Sequence, residues 1–380
     1  MKKWFKGRFL WRLHSVLGLA TGIPLLVIAV TGSVLVFKPE LEQLLQPDLF
    51  VSEPTPEGRL PFDVLYEKVN AALPDYVFLG WEFYDEPTRS DKITVVPYGS
   101  SGGLDLYLNP YNGEVKGVPT EEAGRPLGWL RKLHYTFLGD HAGIFVVGIL
   151  GILMALLALT GFLVYRKFWT SLFTMRWRTS LRVLSGNLHK RVGVLSSPIF
   201  LILAISGAYW NIPHGWRVLT SNHEPPSFVG WELGEGVSLD ALVAQSGTEL
   251  EGFRPTFIRL PNNEGRPLVF FGEIEGQSSL RDRYGSMMLY HPRTGELLRA
   301  APIADAPFLD QMDNAFFTLH FGTFGGWFTR VLYAIVGLSP GVLAVSGGIV
   351  WWQRLRQLKQ RERVKAEQSL VGAAPSTMQN

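Results

Sequence analysis

The chain has 380 residues, 47% of them apolar, with 36 Lys and Arg against 33 Asp and Glu. It contains no cysteine, which excludes disulfides, iron–sulfur clusters and thiolate metal ligands, so any redox chemistry uses another centre. The pI near 9.0 does not point to nucleic acid, because the basic residues crowd into short segments beside apolar runs and no nucleic acid partner is expected.

Four segments of at least 22 residues carry no Asp, Glu, Lys or Arg: 15–37, 142–165, 192–213 and 331–352. Each is long enough to cross a hydrocarbon core of about 30 Å as a helix. Before the first lie Lys2, Lys3, Lys6, Arg8 and Arg12; between the second and third lie Arg166, Lys167, Arg176, Arg178, Arg182, Lys190 and Arg191; after the last come Arg354, Arg356, Lys359, Arg361, Arg363 and Lys365. Only Glu362 and Glu367 oppose these 18 cations, leaving 18 basic and 31 acidic residues elsewhere. The positive-inside tendency makes these three segments, and both termini, cytoplasmic in a bacterial inner membrane. The first apolar run is about twice the usual length of a signal-peptide core and lacks a clear A-x-A site, so it is expected to remain as an anchor.

In chain order the expected organisation is a cytoplasmic start and first span (1–37), an outer domain (38–130), a segment leading into the second span (131–165), a cytoplasmic loop (166–188), the third span (189–213), a second outer domain (214–318), the fourth span with its lead-in (319–352) and a cytoplasmic tail (353–380). Residues 104–115, LDLYLNPYNGEV, and 287–297, MMLYHPRTGEL, each join an alternating strand to a Pro-x-x-Gly turn, a hairpin signature. Further strands are expected in 77–98 and 253–271 and helices in 62–72 and 239–245, giving two small periplasmic α+β domains.

The spans repeat. Leu13-His14 is followed by Gly18 and then Thr31-Gly32 seventeen residues after the His; Leu188-His189 is followed by Gly193 and by Ser206-Gly207 at the same distance. Leu133-His134 precedes Thr160-Gly161 by twenty-six residues, and Leu319-His320 precedes Ser346-Gly347 by twenty-six. Two parallel halves related by an axis along the membrane normal follow. That geometry puts His14 and His189 at one depth, and His134 and His320 at another, on the order of 20–30 Å away by helix rise.

A single His at a helix end is ordinarily an interfacial residue, but four at duplicated positions point to a pathway or cofactor. Two imidazoles per depth match the axial positions of a haem iron better than a closed zinc site, which takes four ligands. Gly18 and Gly193, one turn along from His14 and His189, leave room for a flat macrocycle, or simply for close helix packing. Arg12, Lys190 and Arg191 are candidate propionate partners as well as topology signals. His141, seven residues after His134, would share its face on a continuous helix and is an alternative outer ligand; the second half has Phe324-Gly325 there, which favours His134. His214, His223 and His291 fall in outer loops. Trp81, Tyr84, Phe228 and Trp231 suit domain cores better than a docking surface.

The run of LHxxxG, spans ending in TG or SG, and YxNPxxG or YHPxxG hairpins resembles the PepSY-associated transmembrane family over residues 8–356, and the hairpins resemble its PepSY core. Within that family the chain is most similar to siderophore-iron reductases of Gram-negative inner membranes. The resemblance implies a membrane α-helical four-helix bundle with two PepSY-like domains, two b-type haems on His14, His189, His134 and His320, electrons from quinol or a cytoplasmic reductase, and ferric siderophore as the periplasmic substrate. A PepSY binding or regulatory protein with structural histidines is the main alternative. A transporter fits less well, since the spans hold no ionisable group beyond the histidines, and a flavin-dependent reductase lacks a G-x-G-x-x-G segment.

Overall fold

The structure is a computed structural model that describes residues 2–165, 180–220, 227–230 and 232–372. The expected basic positions Arg166, Lys167, Arg176 and Arg178, together with His223 and Trp231, lie outside the described residues. The chain divides into two compact units: the first comprises residues up to 30, 148–208 and from 335, the second residues 31–147 and 209–334.

Helix α1 spans Lys2–Leu35, then come α2 (Lys38–Leu45), α3 (Pro47–Phe50), α4 (Phe62–Ala72), α5 (Pro126–Thr136), α6 (Asp140–Val164), α7 (Leu181–Thr220), α8 (Leu239–Glu249), α9 (Phe308–Phe321), α10 (Gly326–Gly337) and α11 (Ser339–Gly372). Among the described residues four stretches are long and apolar enough to cross a membrane: Gly7–Leu35, Asp140–Val164, Leu181–Thr220 and Thr323–Ala366. Pro24 and Pro198 sit inside continuous helices, whereas the fourth stretch breaks at Leu338, two residues before Pro340. Proline has no N–H to give the ladder, and the short bond from Leu338 N–H to Ile335 O (3.2 Å) closes the turn ahead of it.

The second unit holds an antiparallel sheet. Strands β1 (Tyr76–Glu82), β2 (Asp91–Pro97), β3 (Leu104–Leu108) and β4 (Val115–Thr120) follow α4; β5 (Phe253–Arg259), β6 (Leu268–Ile274), β7 (Ser286–Tyr290) and β8 (Leu297–Ala301) follow α8. The order β4-β3-β2-β1-β5-β6-β7-β8 makes one eight-stranded sheet, so the two expected domains share it. At the junction Gly80 faces Arg259, Trp81 faces Ile258 and Glu82 faces Phe257. A side chain at Gly80 would put a Cβ 2.8 Å from the Phe257 ring, so the seam requires glycine there. Both expected hairpins form, with the carbonyls of Asn109 and His291 each accepting from the N–H of a glycine four residues on, Gly113 and Gly295, at φ +76° and +70°. His291 is thus a turn residue; its Nδ1 accepts from Arg293 N–H at 3.3 Å.

One core joins both strand sets. Leu65 and Val69 from α4, Leu239 and Leu242 from α8, and Trp81, Ile93, Ile258, Phe270 and Tyr290 from the sheet are all buried. The two helices cap each other. Asp240 accepts from the backbone N–H groups of Phe62 and Asp63 (both 2.9 Å), and Asp63 accepts from Leu239 N–H (2.6 Å) and the Ser238 hydroxyl. First-turn N–H groups have no intrahelical partner, and a carboxylate both pairs with them and opposes the helix dipole. Trp81 is in this core, donating Nε1–H to Asp91 (2.7 Å), and Tyr84 lies beneath the Arg89 guanidinium. Phe228 forms a bridge with Ser100. These aromatics serve packing.

Candidate functional site

In the first unit His14 on α1 and His189 on α7 stand together, with ring centroids 6.1 Å apart and ring planes at 88°. Two imidazoles bound on opposite sides of one metal ion through bonds of about 2.0 Å have ring centres about 6 Å apart. The spacing therefore fits a shared axial pair.

The outer face of each ring is tied down. His14 Nδ1 lies 3.0 Å from Thr160 Oγ1 on α6, and that hydroxyl gives its own proton to Leu156 O (2.7 Å). Thr160 Oγ1 must then accept, so His14 carries its proton on Nδ1. His189 Nδ1 faces Leu343 O (3.0 Å) and Ser346 Oγ (3.1 Å), and Ser346 donates to Val342 O (2.5 Å). A carbonyl can only accept, so His189 is also protonated on Nδ1. Both Nε2 atoms are left with a free lone pair, the form of imidazole that ligates metals.

Glycine completes each seat. A Cβ on Gly161 would lie 3.5 Å from His14 Cε1, and one on Gly347 would lie 3.2 Å from His189 Cε1. Thr160-Gly161 and Ser346-Gly347 are thus matched pairs in which the hydroxyl orients the ring; the glycine is tight against the ring at Gly347 and in ordinary contact at Gly161.

The same device recurs in the second unit. His134, in the last turn of α5, has Nδ1 3.1 Å from Thr31 Oγ1, and a Cβ on Gly32 would fall only 2.8 Å from its Cε1. His320, in the last turn of α9, packs on Trp210 and Phe321 with centroids 5.4 and 5.8 Å away. Trp210 is held by Nε1–H donation to Asp313 (2.6 Å). Burial first, and nearby His134 second, push the His320 pKa down to about 3, which keeps that imidazole neutral.

The structure separates His141 from His134. Helix α5 ends at Thr136 and α6 begins at Asp140, with Phe137, Leu138 and Asp140 all at positive φ (51°, 61° and 46°). The two residues do not share a continuous helix, so the sevenfold spacing does not align them; His134 is seated on Thr31 while His141 is exposed. His214 is not in a loop, because α7 continues to Thr220, and it is exposed on that helix.

Gly18 and Gly193 face helix neighbours: their Cβ atoms would meet Leu157 Cδ2 at 3.7 Å and Leu343 Cδ2 at 3.6 Å, ordinary packing distances. Lys190 extends over the Tyr165 ring (5.4 Å), Arg191 donates to Asn187 O (3.3 Å), and Arg12 is exposed. Among the described residues no three His, Cys, Asp or Glu side chains converge on a point. Each His pair offers two imidazoles, as many as a haem iron has axial positions and too few for a closed zinc site. The seat residues Thr31-Gly32, Thr160-Gly161 and Ser346-Gly347 have a role that the sequence reading left unassigned, although their fixed distance from the histidines marked them.

Four membrane-crossing helices with paired histidines, carrying an antiparallel sheet between them in sequence, define a multi-pass membrane protein with a PepSY-like region. The model of the PepSY-associated TM region matches residues 11–354, and the chain belongs to that family. It is also 25% identical over 256 residues to an uncharacterised Pseudomonas aeruginosa protein, PA4219, a match that covers 60% of this chain and 64% of that relative.

Proposed function

We propose that this chain is a di-haem electron-transfer protein of the bacterial inner membrane that reduces ferric siderophore in the periplasm. The observation that carries the reading is the His14–His189 pair: centroids 6.1 Å apart, with both Nδ1 protons committed to acceptors and both Nε2 lone pairs available. Haem supplies a one-electron carrier whose potential is set by its axial ligands and surroundings. His14 and His189 hold the inner group and His134 and His320 the outer one, in two halves that repeat along the membrane normal. Thr160, Ser346 and Thr31 orient the rings, and Gly161, Gly347 and Gly32 let them reach position.

The basic flanks favour an orientation with both termini in the cytoplasm and the sheet in the periplasm. Electrons enter from quinol or from a cytoplasmic reductase and leave at the periplasmic side, as the resemblance to siderophore-iron reductases implies. The substrate step needs no general base. A hydroxamate siderophore holds hard Fe(III) through oxygen, and a one-electron reduction gives a softer ion that those oxygens hold less well. Reduction therefore releases iron.

The test is an absorption spectrum of detergent-purified protein, oxidised and dithionite-reduced, with pyridine haemochrome quantification. Two b-type haems per chain, reoxidised by ferric hydroxamate, are expected, with His14→Ala removing one of them. A colourless protein from haem-replete cells would defeat the proposal and leave a PepSY binding or regulatory protein.

A further inference from the structure

A cavity under the turn between β5 and β6 in the second unit has a volume of about 210 Å³ and is lined by Arg259, Leu260, Asn262, Arg266 and Pro267. Two of its five lining residues are arginines, in a chain whose charged residues outside the basic flanks are mostly acidic. Elsewhere in the same unit four arginines are matched with carboxylates: Arg59 with Asp91, Arg125 with Asp105, Arg254 with Glu273 and Arg330 with Glu40. Among the described residues neither Arg259 nor Arg266 has an acidic partner within ion-pair distance.

The setting of Arg259 explains why. Its cross-strand neighbours are Gly80 on β1 and Val269 on β6, neither charged. Its guanidinium lies 5.1 Å from the centre of the Phe271 ring, which supports the flat face and leaves the N–H edge unused. Burial, and after it the charge of Arg266, oppose protonation of Arg259. Both arginines are exposed, and two like charges at one cavity with no carboxylate between them favour an anion there. Guanidinium edges present forked donors that match the oxygens of a carboxylate or phosphate. The cavity is anchored as well, since Asn262 O accepts from Gly230 N–H (3.1 Å) and Asn263 Oδ1 from Val229 N–H (3.3 Å).

We propose that Arg259 and Arg266 form a binding site for the oxyanion of a small solute, a carboxylate or a phosphate. The site does not depend on the haem reading, because every residue in it belongs to the sheet unit.

The experiment is isothermal titration of the full chain in detergent with inorganic phosphate and with tricarballylate, at constant ionic strength, with sodium chloride as the blank. Saturable binding of at least one probe is expected, weakened at least tenfold in Arg259→Gln and in Arg266→Gln and unchanged in Arg299→Gln, an exposed arginine on β8. The tighter probe identifies the oxyanion as phosphate or carboxylate. Equal haem content and thermal midpoint across the variants would show that they are folded. No binding above the chloride blank, or binding that survives both cavity variants, would overturn the proposal.

Discussion

Replacing the seat glycines by alanine gives a graded test of how the histidines are held. A carbon–carbon contact is comfortable at about 3.5–4.0 Å. The added methyl would fall 2.8 Å from the ring of His134 at Gly32, 3.2 Å from His189 at Gly347, and 3.5 Å from His14 at Gly161. In Gly32→Ala the ring must retreat by roughly 0.7 Å to restore contact, which breaks its 3.1 Å bond to Thr31. Overpacking costs about 1–3 kcal/mol, and the lost hydrogen bond adds about 1 kcal/mol. Gly347→Ala needs a shift of only about 0.3 Å, and its cost falls below that range. Gly161→Ala meets no clash and gains the helix propensity of alanine, about 1 kcal/mol. The assay is thermal unfolding in detergent, followed alongside haem content and the low-spin resonance of the oxidised protein. The expected order of stability is Gly161→Ala at or above the parent, then Gly347→Ala, then Gly32→Ala, with the outer haem signal lost only in the last. If Gly161→Ala is as damaging as Gly32→Ala, the glycines are not ring seats.

Thr160→Val removes the acceptor of the His14 Nδ1 proton; the ligand becomes less basic, and potentiometric titration should show a higher midpoint for the inner haem with the outer one unchanged. His141→Ala should keep both haems whereas His134→Ala keeps one, by pyridine haemochrome. Asp63→Asn weakens the caps on Leu239 N–H and Ser238 and should cost about 1 kcal/mol in chemical unfolding of the sheet. Burial raises Asp282 from 3.8 to about 6, so the folded state binds this proton more tightly than the unfolded one. The stability it contributes is full below pH 3.8 and is lost as the pH rises through 6. Asp282→Asn should flatten that decline in the thermal midpoint between pH 4 and 7.

The spans, hairpins and paired histidines could be read in the sequence because each rests on a local pattern: charge-free length, turn chemistry, or a fixed interval. What could not be read depends on partners far apart in the chain. That β1 and β5 would join edge to edge is a matter of shape at Gly80 and Phe257, 177 positions apart, with no periodic signal. The reciprocal caps of Asp63 and Asp240 look in sequence like ordinary acidic first-turn residues. His141 was misleading because heptad spacing assumes an unbroken helix, and three residues with positive φ break it. Helix α7 runs on through Pro213 to Thr220, beyond the charge-free stretch that ends at that proline.

The Thr-Gly and Ser-Gly pairs solve a problem that a ligand histidine meets in a membrane. A ring nitrogen there needs a fixed acceptor for its proton, or the tautomer is undefined and the other nitrogen is not reliably a ligand. A threonine or serine in a helix interior gives its hydroxyl proton to the carbonyl one turn back, as Thr160 does to Leu156 and Ser346 to Val342, which is the usual way such hydroxyls are satisfied in a bilayer. The oxygen is then left with an acceptor role alone, pointing off the helix. Glycine as the next residue removes the side chain that would block the approach of the ring. Neither residue is sufficient: a hydroxyl beside a bulky neighbour could not be reached, and a glycine without the hydroxyl would leave the ring free to turn.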